Sequence, residues 1–360
     1  MMRILQIVHG PEQGGVRTLA DMVGKGLADR GYEIETAYLF GASQPTPLAK
    51  LRGARCVASR ILFGAYDGLL AYQASASILV GLAGWLARCR YRIVHQTALP
   101  AAVGAPQRWL DRLVGTLGLY TANVANSAST QAAFAHYPAR YRRAMVLIEH
   151  GVDAPKPART RAATLAAFGI PDDRRVALNV GRLTQQKNQG VLIEALAALP
   201  SVRLVVAGEG PLRRCYESEA ERRGVADRFH LLGEVSRHEI ADLLVACDVF
   251  VFPSVWETFG IAAVEAVLAG TPIVAADIAV LREVLAVRGA TAVFVAPDNP
   301  ERWARALASS VPAARTEDEA DMQATEGHYS VARMIDAYES LLERQGAGTG
   351  RIQASTPRSE

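Results

Sequence analysis

Short runs of β-branched and other apolar residues recur along the chain, most of them followed by a stretch whose apolar positions repeat every three or four residues. RILQIVH (3–9) predicts a buried strand. GGVRTLADMVGKGLADRG (14–31) predicts a helix with Val16, Leu19, Ala20, Val23 and Leu27 on one face, stopped by Gly31. Further strands are expected at 33–40, 69–72, 91–96, 122–127 and 144–149, with a packed helix over 75–88. GVDAPKPART (151–160) carries two prolines and little that is apolar, so it reads as a linker. The alternation then restarts, with strands at 175–181, 202–208, 228–233, 248–254 and 271–277. Helices are expected between them at 188–199, 211–224, 237–247 and 259–270. Strand–helix alternation of this kind predicts an α/β protein with parallel sheets covered on both faces. Two such halves imply a cleft between them, with ligands beyond the carboxyl ends of the strands.

Length and composition support that division. A chain of 360 residues suits two domains, and half of it is hydrophobic with 21% charged. The expected organisation is a first domain over 1–152 and a second over 153–328. A closing helix over 329–345 packs back toward the first, and a disordered tail covers 346–360. The four cysteines form no CxxC pair, which points to reduced thiols in a cytoplasm and away from a zinc site. MMRILQIVHG lacks the long apolar core of a signal peptide. The 20 uncharged residues between Asp67 and Arg88 are long enough to span a bilayer, but their serines, alanines and glycines read better as a buried strand and a packed helix.

Charge adds an asymmetry. Residues 1–155 hold 16 Lys/Arg against 9 Asp/Glu, whereas the rest holds 23 against 27. A basic first half suggests an anionic partner, either a phosphorylated acceptor or a membrane surface. No basic stripe interleaved with aromatics is present, so no nucleic acid is expected. QRWLDRLVGTLGLY (107–120) sets Trp109, Leu110, Leu113, Val114 and Leu117 at helical spacing beside Arg108 and Arg112. Such a stripe either belongs to the core or touches a membrane that carries a lipid-linked acceptor.

The candidate chemistry lies in the second half. In NVGRLTQQKNQG (179–190) a strand ends at Gly181, Arg182 and Lys187 follow, and a helix begins near Asn188. A helix start favours an anion, Arg182 adds a planar fork and Lys187 a point charge, which together suit a diphosphate. No GxxxxGK[ST] loop and no GxGxxG after a strand is present, which disfavours P-loop and nicotinamide chemistry. In WETFGIAAVEAV (256–267) Phe259 and Gly260 are expected to begin a helix, with Glu257 before it and Glu265 inside it. A helix throughout would separate these carboxylates by about 12 Å, wider than the roughly 5–9.5 Å of a glycosidase pair. They could grip the two ends of an extended ligand, or Glu257 could cap the helix and Glu265 be buried and satisfied.

GRLTQQKN, VVAGEGP, LLGEVSRHEIADLLVACDVFVFPS and WETFGIAAVEAVLAGTPIVA together resemble retaining GT-B glycosyltransferases of the glycosyltransferase 4 type. GGVRTLADMVGKGLADRGYEI resembles that family's Gly-Gly loop and helix, and IEHGVD its inter-domain NGVD. The resemblance spans residues 3 to about 343 and is stronger in the second half. It implies two Rossmann-like doubly wound domains and a metal-independent transferase. The co-substrate would be a nucleotide-diphosphate sugar, UDP or GDP based, and no cofactor is implied. The acceptor would be a saccharide or a lipid-linked saccharide. The location expected from the thiols and the charge asymmetry is the cytoplasm, with peripheral contact to the inner face of the membrane through the basic first domain. By the family's motif Arg182 and Lys187 would neutralise the diphosphate, Glu265 would hold the ribose hydroxyls and Glu257 the donor sugar. The Phe259 and Gly260 amides would lie near phosphate or sugar, Val235 by the base, and Gly15 would let the first domain's loop close. A catalytic histidine is usual at the end of the strand in YRIVHQTALP; aligned on the strand it falls nearer Ala98, with His95 the candidate three residues earlier. Gln73 stands where relatives often carry a second histidine, and His150 replaces the asparagine of NGVD. Two rivals follow: a nucleotide-sugar epimerase, against which the E-x7-E motif and the cation pair argue, and a non-catalytic nucleotide-sugar-binding subunit.

Overall fold

The computed structural model describes residues 1–11, 14–41, 46–287, 290–309 and 319–347. Most of the tail expected to be disordered lies outside the described residues. In chain order the first half runs β1 (Arg3–Val8), α1 (Gly15–Asp29), β2 (Glu33–Tyr38), α2 (Pro47–Phe63), β3 (Gly68–Ala71), α3 (Ala74–Leu86), β4 (Tyr91–His95), α4 (Ala105–Thr116), β5 (Ala122–Ala125), α5 (Ala128–Ala132), α6 (Ala139–Arg143) and β6 (Met145–Leu147). All pairings are parallel, in the order β2-β1-β3-β4-β5-β6. Every residue of β3 and β5 is buried, as expected of strands covered on both faces. The long uncharged run divides into β3 and α3, and no described helix is long and apolar enough to cross a membrane. Helix α2 is not foreseen from the sequence; its Lys50, Arg52, Arg55 and Arg60 interrupt any clear apolar stripe, and only Val57 and Ile61 are buried.

The second half runs α7 (Arg161–Ala167), β7 (Arg175–Val180), α8 (Gln189–Leu196), β8 (Val202–Ala207), α9 (Arg213–Arg222), β9 (Phe229–Gly233), α10 (Arg237–Ala246), β10 (Val249–Phe252), α11 (Ile261–Leu268), β11 (Ile273–Ala276), α12 (Ala279–Val284), β12 (Ala292–Val295), α13 (Pro300–Ser309), α14 (Glu319–His328) and α15 (Val331–Ala347). Its sheet is again six-stranded and parallel, in the order β12-β11-β10-β7-β8-β9. The chain leaves β7 toward one edge and returns at β10 toward the other, so the strand order reverses between these two neighbours. At such a reversal the loops diverge and open a crevice at the carboxyl ends of the strands.

Contacts divide the chain into two units. One holds residues 1–125 and 134–148 and the chain from Ala332; the other holds 126–133 and 149–331. The stretch 126–133, assigned by sequence to the first domain, belongs to the second unit because its side chains bond there. Ser127 Oγ and Thr130 Oγ1 donate to the Thr258 carbonyl at 2.8 and 3.0 Å. The Glu283 carboxylate accepts from the Ala128 and Ser129 amides at 2.6 and 2.8 Å. Helix α15 joins the first unit, where Arg30 pairs with Asp336 and Glu339. Ile335 lies so near α1 that a Cβ on Gly26 would meet its Cγ1 at 2.4 Å.

Candidate active site

Two loops at the reversal point of the second sheet carry most of the candidate residues. The loop after β7 holds Arg182 and Lys187; the loop after β10 holds Glu257, Phe259 and Gly260. They are tied together from beneath. Asn179 of β7 donates to the Val251 carbonyl at 2.8 Å, and Gln189 bridges Asn179 Oδ1 at 3.2 Å and the Arg182 carbonyl at 3.1 Å. Above them the Val255 amide donates to the Gln186 carbonyl at 2.9 Å, and Gln186 Nε2 to the Trp256 carbonyl at 3.1 Å. Asn188, left-handed at φ 53°, does not cap α8 with its side chain but donates to the Pro253 and Pro297 carbonyls. The GEGP turn completes the floor. A Cβ on Gly208 would fall 2.2 Å from the Gly181 carbonyl oxygen, so only glycine permits that approach.

Lys187 and Glu257 form an ion pair at the centre of this arrangement, with side chains 18% and 9% exposed. The Lys187 ammonium also lies 4.9 Å from the Phe252 ring centroid, and its stem runs along Gly181. Glu257 therefore holds Lys187 and does not cap α11, which has no side-chain cap. Arg182 is exposed, and its guanidinium makes no ion pair or hydrogen bond among the described residues. A positive group thus stands free beside a fixed one, a combination suited to a ligand carrying two linked anionic groups.

Helix α11 begins at Ile261, two residues later than the sequence suggests. Gly260 precedes it in a left-handed conformation, φ 95° and ψ 55°. Only part of the stretch from Glu257 to Glu265 is helical, so the 12 Å rise of an unbroken helix does not describe their separation. The Phe259 ring is buried against His150 at 4.8 Å and Tyr329 at 5.8 Å, so only its backbone can face a ligand. No protein group among the described residues accepts from the Phe259 or Gly260 amide. The bonds from Ser127 and Thr130 to the Thr258 carbonyl fix the peptide that carries the Phe259 N–H. Sequence reasoning missed these two hydroxyls, since nothing local distinguishes them from Ser127 as the N-cap of α5, a role it also fills.

Glu265 lies one turn into α11. Burial pushes its carboxyl above the ordinary range, with Asp153 adding repulsion; Arg237, 3.5 Å away and half exposed, offsets this only in part. Arg237 opens α10, two residues beyond Val235, so the loop carrying Val235 lies beside Glu265. The structure thus gathers Arg182, Lys187, Glu257, Phe259, Gly260, Glu265 and Val235 along one edge of the second unit.

Gly15 and His95 belong to the first unit. Gly15 is the first residue of α1, and Gly14 before it has φ 153° with open space around its Cβ direction. His95 ends β4, 3% exposed and stacked on Tyr72 at 4.3 Å. Its Nδ1 lies 2.7 Å from the Ala71 carbonyl and its Nε2 2.8 Å from the Tyr338 hydroxyl of α15. The Ala71 contact requires a proton on Nδ1, which leaves Nε2 to accept from Tyr338. Burial lowers the His95 pKa from 6.5 to about 4, so the ring is neutral at physiological pH. The sign of the linkage is set by that lowering: His95 supports the fold above pH 6.5 and opposes it as pH falls toward 4. Urea melts at neutral pH and at pH 4.5 should show that His95→Gln removes a large part of an acid-dependent loss of about 2–3 kcal/mol. Equal acid sensitivity in the variant would assign the loss to other groups.

Comparison with known proteins bears on these residues as a set. The profile of the family described as "Glycosyl transferases group 1" matches residues 161–324, the stretch that contains every candidate of the second unit. The chain is 30% identical to a D-inositol 3-phosphate glycosyltransferase of Mycolicibacterium paratuberculosis, over 92% of this chain and 85% of that protein. The structure of HepE from Anabaena, solved with UDP and glucose, superposes with a TM-score of 0.79 at 21% identity, covering 96% of this chain and all of that one. Sucrose-phosphate synthase from Thermosynechococcus elongatus gives 0.78 at 20% identity, over 97% of this chain and 100% of that one. These structural likenesses establish the α/β two-domain fold. With the 30% identity carried across nearly its whole length, the chain belongs to the group 1 glycosyltransferases.

Proposed function

We propose that this glycosyltransferase moves a sugar from a nucleoside diphosphate sugar to a saccharide or lipid-linked saccharide acceptor, with retention and without a metal ion. The observation that carries this reading is the convergence at the ends of β7 and β10. Among the described residues, a free arginine, a fixed lysine, two unpaired amides and two carboxylates meet there. Cleavage at an anomeric carbon releases a charged diphosphate, and donors already aimed at that charge lower the barrier most. Arg182 and Lys187 are assigned to the diphosphate. An ammonium has three protons, so Lys187 can keep Glu257 and still donate to the ligand. Glu257 is assigned to the donor sugar, Glu265 to the ribose hydroxyls and Val235 to the base. The Phe259 and Gly260 amides are assigned to phosphate or sugar oxygens, and Gly15 to closure of its loop.

His95 is the first unit's candidate at the reacting end. Any such part requires the bond to Tyr338 to open, and unchanged activity in His95→Ala would remove it from the mechanism. The UDP complex of the Anabaena neighbour favours a uridine donor. A phosphorylated polyol is a second reading of the acceptor, favoured by the D-inositol 3-phosphate relatives.

Thermal denaturation with UDP, GDP, ADP and CDP tests the reading. UDP or GDP should stabilise by about 2.7 kcal/mol at a hundredfold excess over its dissociation constant. The matching sugar nucleotide should then be hydrolysed slowly without acceptor. No stabilisation by any nucleotide would refute the donor assignment; binding with no turnover on water or any acceptor would favour the non-catalytic subunit.

A further inference from the structure

Arg237 stands where a helix least favours a cation. It is the first residue of α10, and the positive end of the helix dipole disfavours a guanidinium there. The neighbouring residues fix that position. Ser236 accepts from the Glu239 amide at 3.3 Å, and the Glu239 carboxylate accepts from the Ser236 amide at 2.8 Å, a reciprocal cap that sets where the helix begins. Among the described residues the Arg237 guanidinium makes one hydrogen-bonded ion pair, from Nη2 to Glu265 Oε1 at 3.5 Å.

The surroundings of Glu265 give that contact its weight. No other residue of α11 is charged, and β10 and β11, on which the helix packs, contribute VFVF and IVAA. On α10, Glu239 is engaged by the cap, His238 is exposed, and Asp242 accepts from the Ala158 and Arg159 amides at 2.6 and 3.0 Å. On α14, which also packs on α11, Glu326 is exposed and His328 lies 3.8 Å from Glu149. Asp153, from the segment after β6, repels the carboxylate. Arg237 is the cation that opposes both this repulsion and the effect of burial. A carboxylate has about four acceptor positions, so one bond to Arg237 leaves room for two ribose hydroxyls.

We propose that Arg237 is a positioning residue for the donor: its guanidinium holds the Glu265 carboxylate charged and in place to accept the ribose hydroxyls. The proposal rests on the assignment of Glu265 to the ribose. A protonated carboxyl carries a donor of its own on one oxygen and loses acceptor capacity. Burial favours that protonated form, and a neighbouring cation favours the charged one. Loss of Arg237 therefore weakens donor binding where Glu265 begins to protonate, and not where it is fully ionised.

The test is calorimetric titration of the wild type and Arg237→Gln with UDP-glucose between pH 5.5 and 8.5. The diphosphate of this probe is esterified at both ends and does not titrate in that range; GDP-glucose replaces it if GDP is the nucleotide that stabilises the chain. The dissociation constant of the variant divided by that of the wild type should approach one at pH 8.5. It should rise toward about fivefold at pH 5.5, the upper range for a half-exposed ion pair. Arg237→Lys, which keeps the charge, should reduce the rise, and in a Glu265→Gln background the ratio should stay flat. A ratio of one throughout overturns the proposal. So does a ratio raised equally at every pH, which would have Arg237 touch the ligand or support the fold alone. A rise that survives Glu265→Gln would assign the pH dependence to another group. Unchanged affinity in Glu265→Gln by itself refutes the ribose assignment and this proposal with it. Lowered affinity in Glu265→Gln, with no pH-dependent effect of Arg237→Gln, refutes the role of Arg237 alone.

Discussion

Lys187→Ala is expected to lower kcat/KM by about 10²–10³-fold, the usual effect of deleting one preorganised donor from a site of developing charge. It should also destabilise the fold by about 3 kcal/mol, because Glu257 is left buried without its partner. The two effects have separate origins, and a second substitution separates them. In Lys187→Ala with Glu257→Gln the orphaned charge is gone, so most of the stability should return while activity stays lost. Urea melts and steady-state kinetics on the four proteins of this cycle measure both quantities. If activity returned together with stability, Lys187 would be a structural partner of Glu257 and not part of the clamp. Arg182→Ala provides the contrast: its guanidinium bonds to nothing among the described residues, so its loss should reduce activity with little change in stability.

Glu265→Gln should show the opposite balance. Its carboxyl is held above the ordinary 4.5 by burial, and the half-exposed Arg237, 3.5 Å away, compensates only in part. An acid with a raised pKa in the folded state costs nothing below pH 4.5 and opposes folding increasingly as pH rises through the raised value. Glutamine keeps the shape and one acceptor oxygen but removes the charge. The variant should therefore be at least as stable as the wild type at pH 7.5 and gain nothing near pH 4. Nucleotide affinity should fall about a hundredfold, since charge-assisted hydrogen bonds to a diol contribute about 1.5–3 kcal/mol each. A carboxyl retained in a buried position at a cost to the fold is what a binding role predicts. Calorimetric titration with the nucleotide decides the first point and urea melts the second. Marked destabilisation at pH 7.5 would give Glu265 a structural role, and unchanged affinity would remove it from the ribose.

Much of this was legible in the residues. The cation pair after one strand and the E-x7-E motif after another were visible as a site, because loop chemistry at strand ends is written locally. What the fold revised is conformational. Gly260 takes a left-handed turn and delays α11, and Glu257 spends its carboxylate on Lys187, 70 positions away in sequence. The tryptophan stripe also needed the fold. Helical spacing gathers Trp109, Leu113 and Val114 on one side, but only the packing of α3, through Gly81 against Val114, decides which of them is covered.

By itself, the sequence determined the alternation of strands and helices, the existence of two α/β halves and the family to which they belong. These depend on periodicity, turn residues and short motifs, all of which act within a few residues. The tertiary structure alone decided that β7 and β10 are neighbours and that Ser127 and Thr130 reach across to hold Thr258. It also set the Val235 loop beside Glu265 and enclosed both nitrogens of His95. Each is a contact between distant segments, fixed by the order in which parallel strands assemble, and similar buried strands carry little local information about which will be their neighbours.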